Sequence, residues 1–343
     1  MDKRQGILLV RLKSIGDILF TLPTAHALRA AFPQSRITFL VSKEYAPLLE
    51  GFRDVNSIIE LDRRQFRAPH PLKMLSEAFS LLHRIRRERL RLTIDLQGYG
   101  ETALLTRVSG AVERWGTVYR KSRSWAYTRA VPRASKVHPA DDYLALLKAN
   151  GLPIGPVKNE FVLPQRAQAE AGAFFSTFGL RLDRPTLFIQ PLTSTALKNW
   201  PIDRFLNVAQ YWQRQGWQIL FGGGPGDRIT LEPVRKAGFV LAAGEPLLVS
   251  AGLAKLSTVV LGGDTGLLHL AVAMGKRVVM IMSTILPGST HPFEHRDWAI
   301  GPPAEGMITS ITIETVNHAC SCAAAELRIL SVPPSGSQGR LAG

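Results

Sequence analysis

The chain has 343 residues, of which 45% are hydrophobic and 20% charged, which is enough apolar material for two packed cores and excludes a chain disordered throughout. It contains neither the roughly 18 consecutive apolar residues of a membrane-spanning helix nor the apolar region and cleavage site of a secretory signal, so we expect a cytoplasmic protein. The formal net charge of +15 is concentrated in residues 1–160, with 27 Lys and Arg against 15 Asp and Glu, and predicts an anionic partner: nucleic acid, an anionic membrane surface or an acidic substrate.

In the first half of the chain, short apolar runs alternate with helical stretches. Strands are predicted at residues 6–10, 36–41, 55–61 and 92–96. Helices are predicted at residues 18–32, 46–51, 72–89 and 141–150, and a loop with short pieces at 116–139. Because strands that alternate with helices form parallel sheets with right-handed crossovers, this half is predicted to be an open α/β sheet.

The second half restarts the same pattern. Its strands are predicted at residues 186–190, 217–221, 239–242, 259–261 and 278–282. Its helices are predicted at residues 202–214, 247–256, 267–274 and 311–330. We place the limit between the halves at 165–182, which gives domains 1–170 and 182–325, and we expect a disordered tail at 331–343. Paired sheets of this kind bind ligand where their strand ends face a cleft.

The sharpest chemical signal is the segment Gly-Gly-Asp-Thr-Gly-Leu-Leu-His at 262–269, which follows an apolar strand and opens a helix. The glycines permit close approach to the backbone. Thr265 or Asp264 can cap the helix, and His269 shares a face of the helix with Thr265. Free N–H groups at a helix start bind anions, so the segment predicts a phosphate site. An ordinary capped helix with one polar His in its first turn is the alternative.

Three further segments follow predicted strands. The loop at 190–201 offers three hydroxyls and the ammonium of Lys198, which match phosphate oxygens. The Gly-rich stretch from 222 leads to Asp227, an acceptor for ribose hydroxyls, but it lacks the spacing of a dinucleotide fingerprint. Asp17 either caps the first helix or acts as a general base toward an attacking hydroxyl.

Taken in order, these segments resemble glycosyltransferase family 9, the ADP-heptose:lipopolysaccharide heptosyltransferases. The resemblance lies in four elements: S-I-G-D at 14–17 with T-L-P at 21–23, D-L-Q-G at 95–98, K-N-W-P at 198–201 and D-T-G-L-L-H at 264–269. Each element is short, but their joint occurrence over most of the chain is specific.

The resemblance implies an α/β fold of the GT-B type, with two Rossmann-like domains facing across a cleft, and an inverting sugar transfer. It implies that Asp17 is the catalytic base. The residues that match donor contacts are Thr193, Ser194, Lys198, Asp227, Asp264, Thr265, Gly266 and His269. The co-substrate would be an ADP-sugar.

The same resemblance implies that an anionic, lipid-linked saccharide acceptor binds in the basic first half. The candidate acceptor contacts there are Lys13, Ser14, Gln97, Arg120 and Arg123. Peripheral contact with the cytoplasmic face of the inner membrane stays open. We expect no metal or other cofactor, because there is no Asp-x-Asp motif and Cys320 and Cys322 lack partners at zinc spacing.

Three departures from the family pattern leave the transferred sugar open. Phe20 stands where some members have His, the loop at 192–197 carries no charge, and residues 287–292 match only loosely. The alternatives are a glycosyltransferase or epimerase for another nucleotide sugar, a nucleotide-binding oxidoreductase, and a basic module that binds nucleic acid. The missing dinucleotide fingerprint disfavours the oxidoreductase, and the apolar content and absence of a helix-turn-helix or RNA-binding signature disfavour nucleic-acid binding.

Overall fold

The computed structural model describes residues 5–64, 71–303 and 306–331, so the predicted tail lies, apart from residue 331, outside the described residues. The first half forms one six-stranded sheet. Its strands are β1 (Gly6–Val10), β2 (Ile37–Ser42), β3 (Ser57–Leu61), β4 (Leu90–Asp95), β5 (Glu113–Val118) and β6 (Arg129–Pro132). They are parallel and lie in the order β3-β2-β1-β4-β5-β6.

The second half forms a second parallel sheet. Its strands are β7 (Thr186–Gln190), β8 (Gln218–Gly223), β9 (Val240–Ala243), β10 (Val259–Gly263), β11 (Val278–Ile281) and β12 (Ala299–Ile300). Their order, β12-β11-β10-β7-β8-β9, is that of the first sheet read from the other edge. In each sheet the winding direction reverses between the first and fourth strands, β1 and β4 or β7 and β10, and such switch points form ligand-binding crevices at the strands' carboxyl ends.

Helices cover both sheets. They are α1 (Ile15–Leu19), α2 (Leu22–Ala31), α3 (Pro71–Arg87), α4 (Gly100–Val108), α5 (Pro139–Ala149), α6 (Gln165–Thr177), α7 (Ile202–Arg214), α8 (Glu232–Lys236), α9 (Leu247–Leu256), α10 (Gly266–Ala273) and α11 (Ile313–Ser331). Longer 3-10 turns occupy Lys43–Gly51 and Lys121–Ala126. Within the described ranges, no helix combines the length and apolarity that crossing a bilayer requires.

The predicted α/β architecture is confirmed, but the loop with short pieces predicted over 116–139 contains parts of two strands of the sheet. Residues 113–118 form β5, and residues 129–132 form β6 at the edge of the sheet. β6 contains two half-buried apolar residues between exposed Arg129 and Pro132. An edge strand tolerates charge and proline, so it lacks the apolar run by which buried parallel strands are recognised.

The single helix predicted over 18–32 is wrong. The structure has two helices, α1 and α2, separated at Phe20 and Thr21. Pro23 lies in the first turn of α2, where it lacks an N–H that a continuous helix would have used. Thr21 closes the break by donating its hydroxyl to the Ile18 carbonyl at 2.7 Å.

Helix α6 falls where the sequence suggested a limit between the halves. It packs against α9 of the second half, and an added Cβ on Gly252 would lie 2.6 Å from Cβ of Ala171. Its buried face consists of Ala171 with Ala167 and Phe175. Small residues on this face gave little apolar signal in the sequence. The proposed domain limits stay a prediction.

The two halves touch where the starts of α1 and α10 meet. A Cβ added to Gly266 would lie only 2.5 Å from Cγ2 of Ile15. A Cβ added to Gly16 would lie 3.3 Å from Cδ2 of His269. The buried core continues through this contact, because Phe20 of the first half and Leu267 of the second belong to one apolar cluster. The glycines therefore set how closely the two sheets approach.

We expect Gly266→Ala to lower the free energy of unfolding by about 1–3 kcal/mol, because the new methyl group overlaps Ile15 in a packed contact. Gly172→Ala is the matched control. Nothing lies within 4 Å of a Cβ at Gly172 inside α6, so that variant should gain about 0.5–1 kcal/mol. Urea denaturation of both variants measures the difference, and a Gly266→Ala variant as stable as the wild type would contradict the packing argument.

Candidate active site

The two switch points face one cleft of about 880 Å³. The first half contributes residues 14–17 and Phe20, which follow β1. The second half contributes the segments after its strands, with residues 192–194 and Lys198 after β7, 223–227 after β8, 244–247 after β9 and 264–267 after β10. Segments predicted from the sequence to carry chemistry thus meet in one place.

The largely buried carboxylate of Asp264 holds several polar groups at this cleft. Asp264 Oδ2 accepts hydrogen bonds from Lys198 Nζ at 2.8 Å and Thr290 Oγ1 at 3.0 Å. Asp264 Oδ1 lies 3.0 Å from His269 Nε2. Burial opposes ionisation of Asp264, but the hydrogen bonds and charges of His269 and Lys198 outweigh it and lower the pKa of Asp264 below its usual range. The carboxylate therefore holds an ammonium and an imidazole at fixed positions beside the cleft.

The segment that carries Lys198 is itself held rigidly. Trp200 is buried and donates its ring N–H to the Ile311 carbonyl at 3.0 Å. Asn199 accepts a hydrogen bond from the Thr193 N–H at 2.8 Å. The Lys198 side chain remains 42% exposed, and it lines the cleft. This lysine can pair with Asp264 and with an anionic ligand together.

Helix α10 begins at the cleft with its N–H groups unsatisfied by the helix itself. Thr265 is the N-cap, and its hydroxyl accepts from the Leu268 N–H at 3.4 Å. The N–H groups at the helix start, together with the helix dipole, favour an anion. The structure therefore joins a helix start, a lysine and a histidine at one side of the cleft.

Asp17 lies across the cleft and is gripped by an arginine. Its Oδ2 is 2.5 Å from Arg11 Nη2 and 3.2 Å from the Ser14 hydroxyl. Arg11 is fixed in turn, because its other nitrogens donate to the carbonyls of Lys13 and Leu96, both at 2.9 Å. The Asp17 side chain is 29% exposed. One carboxylate oxygen is thus oriented by the protein while the side chain stays accessible from the cleft.

The remaining predicted donor contacts also line the cleft. Thr193 donates its hydroxyl to the Thr195 carbonyl at 2.9 Å, and Ser194 is exposed beside it. Asp227 is half-buried and accepts from the Gly224 N–H at 2.7 Å through Oδ2. Its carboxylate therefore closes its own turn as well as bordering the cleft.

The five predicted acceptor contacts are not all together. Ser14 lines the cleft, and Lys13 lies beside it with Nζ 6.0 Å from the Tyr99 ring centroid. Arg120 is exposed, and Arg123 donates to the Gly98 carbonyl at 2.7 Å. Neither arginine lines the cleft.

Gln97 is not among the residues that line the cleft. It is fully buried, and its Oε1 accepts from the Leu12 N–H at 2.8 Å. The side chain joins the loops that follow β1 and β4, and its role as an acceptor contact stays a prediction. Sequence reasoning placed it correctly at a strand end, but could not tell that the amide points inward.

Sequence reasoning missed three residues of the site. Arg11 belonged to a segment singled out for Asp17, and its signal was a cation directly after a buried strand. Thr290 lies in the segment that departs from the family pattern, and no local signal pointed to it. His138 precedes α5 and reaches the second half, where its Nε2 lies 3.1 Å from the His291 carbonyl.

His138 links the two halves as a neutral imidazole, through its hydrogen bond to the His291 carbonyl. Its Nδ1 accepts from the Ala140 N–H at 3.2 Å, so its Nε2 carries the proton donated to His291. Phe20 packs edge-on between His138 and His269, with ring centroids 4.6 and 4.8 Å away. Burial, with the nearby rings of His291 and His269, lowers the pKa of His138 to about 3.

No group of three or more His, Cys, Asp or Glu with an arrangement for a metal ion occurs in the part of the chain that the structure describes. Cys320 is buried in the second core and Cys322 is exposed, and both are free thiols. The groups placed for an anionic ligand are instead Lys198 and the start of α10.

The chain is similar to known proteins over most of its length. The family model described as glycosyltransferase family 9 (heptosyltransferase) matches residues 78–317. Lipopolysaccharide heptosyltransferase 1 of Pseudomonas aeruginosa is 26% identical over 295 residues, which cover 83% of this chain and 80% of that protein.

Two solved structures show the same fold. A family 9 glycosyl transferase from Veillonella parvula superposes with a TM-score of 0.83 at 21% identity, covering 95% of this chain and 99% of its own. The E. coli heptosyltransferase WaaC, solved with ADP, superposes with a TM-score of 0.75 at 20% identity, covering 93% and 100%. The expected GT-B arrangement of two facing sheets is therefore confirmed.

We expect acid to weaken the fold through His138. The unfolded chain binds a proton at this imidazole below about pH 6.5, whereas the folded protein does so only near pH 3. The contribution of His138 to the free energy of unfolding is therefore full above pH 6.5. It falls as the pH drops through this window, by up to about 1.4 kcal/mol per pH unit. Urea midpoints at pH 7, 6, 5 and 4 should fall less steeply for His138→Gln than for the wild type. If the urea midpoints of the two proteins fell in parallel with pH, the conclusion that His138 is neutral in the folded protein would be contradicted.

Proposed function

The chain belongs to glycosyltransferase family 9, the heptosyltransferases, and from this premise we propose that it transfers a heptose from ADP-heptose to an anionic saccharide of the lipopolysaccharide core. One observation carries the proposal. Asp17, from the first half, lines the same cleft as the cluster of Lys198, Asp264 and His269 from the second half. A base and an anion site that share a cavity are what a hydroxyl attack on a nucleotide sugar requires.

The second half is proposed to bind the donor. Its diphosphate would lie at the start of α10, where the N–H groups, Lys198 and the hydroxyls of Thr193 and Ser194 offer donors to phosphate oxygens. Asp227, at the end of β8, would accept the ribose hydroxyls. The E. coli enzyme of the same fold has been solved with ADP, which supports an adenine nucleotide as the donor group.

The proposed chemistry is one in-line displacement at the anomeric carbon. The acceptor hydroxyl forms the new C–O bond as its proton passes to the Asp17 carboxylate, and the bond from the anomeric carbon to the ADP oxygen breaks. Attack from the side opposite the leaving group inverts the anomeric configuration. The departing ADP gains charge on its β-phosphate, which Lys198 and the α10 N–H groups stabilise. Preorganised donors of this kind are typically worth about 3–4 kcal/mol each.

Asp264 acts in this proposal through the groups that it holds. It fixes the Lys198 ammonium and the His269 ring without consuming all of their hydrogen-bonding capacity. Its depressed pKa keeps it ionised throughout the physiological range. The reaction is proposed to need no cofactor besides the nucleotide sugar, and full turnover in EDTA tests this point.

The acceptor is proposed to approach over the basic first half, as an anionic and lipid-linked saccharide at the cytoplasmic face of the inner membrane. The surplus of Lys and Arg in residues 1–160 supports this placement, because a positive field concentrates anionic substrates. Lys13, Arg120 and Arg123 belong to this half of the chain, and the two arginines do not line the cleft.

Replacing Asp17 by Asn should lower kcat by about 100- to 10,000-fold, the range typical for loss of a general base. Affinity for ADP should stay unchanged, because Asp17 lies on the acceptor side. Turnover with ADP-heptose and a defined core acceptor measures the first effect, and calorimetric titration with ADP the second. Asp183→Asn, an exposed carboxylate outside the cleft, should behave like the wild type. A near wild-type rate for Asp17→Asn would refute the base assignment.

Replacing Lys198 by Ala should weaken ADP binding by about 10- to 100-fold, since a hydrogen bond to a charged group is worth about 1.5–3 kcal/mol. The variant also leaves Asp264 paired only with His269 and Thr290. Lys236→Ala removes an exposed lysine of the same half and serves as the control. The dissociation constants come from calorimetric titration, and equal values for Lys198→Ala and the wild type would exclude the diphosphate contact.

A further inference from the structure

Helix α3 exposes an apolar stripe that nothing in the described fold covers. Leu72, Leu75 and Phe79 are 82%, 67% and 72% exposed. Their spacing of three and four residues places them along one side of the helix. Among the α3 side chains that the structure describes, Leu81 and Ile85 in the second half of the helix are buried in the core. The first turns of the helix thus carry large apolar side chains away from the protein body.

The stripe lies at the same edge of the first sheet as Asp17. In a parallel crossover the helix starts at the carboxyl end of one strand and returns to the amino end of the next. α3 connects β3 to β4, so its first turns rise at the carboxyl edge, where β1 delivers the chain to Asp17. The middle of α3 confirms this position, because Glu77 and Leu81 border a small cavity with Asp62, directly after β3.

Aromatic and basic side chains extend this edge. Tyr99 follows β4, and Tyr119 and Trp125 follow β5, and all three are exposed. Arg120 and Lys121 are exposed between them. Exposed apolar residues accompanied by Trp, Tyr and cations are the composition that interfacial membrane-binding surfaces use.

We propose that the first turns of α3 insert into an anionic lipid bilayer, with the aromatic and basic residues after β4 and β5 resting at the headgroups. The net surplus of positive charge in this half matches an anionic surface. A second copy of the chain is the less favoured occupant. The area that three side chains can bury is far below the roughly 800 Å² that each partner buries in a stable dimer. Docking in this way would turn the mouth of the cleft toward a lipid-linked acceptor. The inference takes that purpose from the proposed function.

The test measures binding to vesicles without any donor or acceptor, so it stands apart from the proposed transfer. Co-flotation of the full chain with phosphatidylcholine vesicles is compared with flotation on vesicles that also contain phosphatidylglycerol. We expect binding to the anionic vesicles only, weakened by added salt. The double variant Leu75→Ser/Phe79→Ser should bind about tenfold less or weaker still, because each lost side chain removes bilayer-buried apolar surface. Circular dichroism confirms that the variant is folded.

The matched control is Leu182→Ser/Ile229→Ser, which removes from the second half two apolar side chains that are, respectively, at least as exposed as Leu75 and Phe79. It should bind vesicles like the wild type. With a delipidated, soluble acceptor the α3 variant should turn over at the wild-type rate, whereas with an acceptor embedded in vesicles its KM should rise. Undiminished vesicle binding by the α3 variant would overturn the proposal. The proposal would also be overturned if the wild type were a dimer that does not bind vesicles and the same two substitutions made it a monomer.

Discussion

The close approach of two helix starts is the constraint on which this structure depends. α1 and α10 come from different sheets, yet Ile15 lies where a side chain on Gly266 would stand, and Gly16 leaves room for the ring of His269. Two glycines therefore let the switch points of the sheets share one cleft. Asp17 directly follows Gly16, and Asp264 and Thr265 directly precede Gly266. The steric contact between the halves and the placement of the proposed base and anion site are thus the same feature of the chain.

Each side of the cleft is organised by one charged pair with unequal exposure. On the first side, buried Arg11 holds accessible Asp17. On the second side, buried Asp264 holds half-exposed Lys198. In both pairs the buried partner is fixed by further hydrogen bonds, so the exposed partner is oriented before any ligand arrives. Such preorganisation spares the reorganisation that would otherwise accompany charge development.

Local patterns were enough to predict the fully buried strands and the short segments that carry Asp17, Lys198, Asp264 and His269. Buried parallel strands appear as apolar runs, and a helix start after such a run has its own signature. The sequence did not predict β6, because it is a short edge strand, or α6, because its buried face is built largely from alanine.

Pairings between distant parts of the chain left no local signal. Thr290 reaches Asp264 and His138 reaches His291 only because the two halves come together. Gln97 shows the converse, since a polar residue at a strand end turned inward.

The proposed transfer is tested most directly by product analysis after incubating the chain with a defined core acceptor and ADP-, UDP- or GDP-sugars. We expect a heptosylated acceptor and an equal amount of ADP from ADP-heptose alone. A sugar epimerised on its own nucleotide, or no transfer from ADP-heptose, would contradict it.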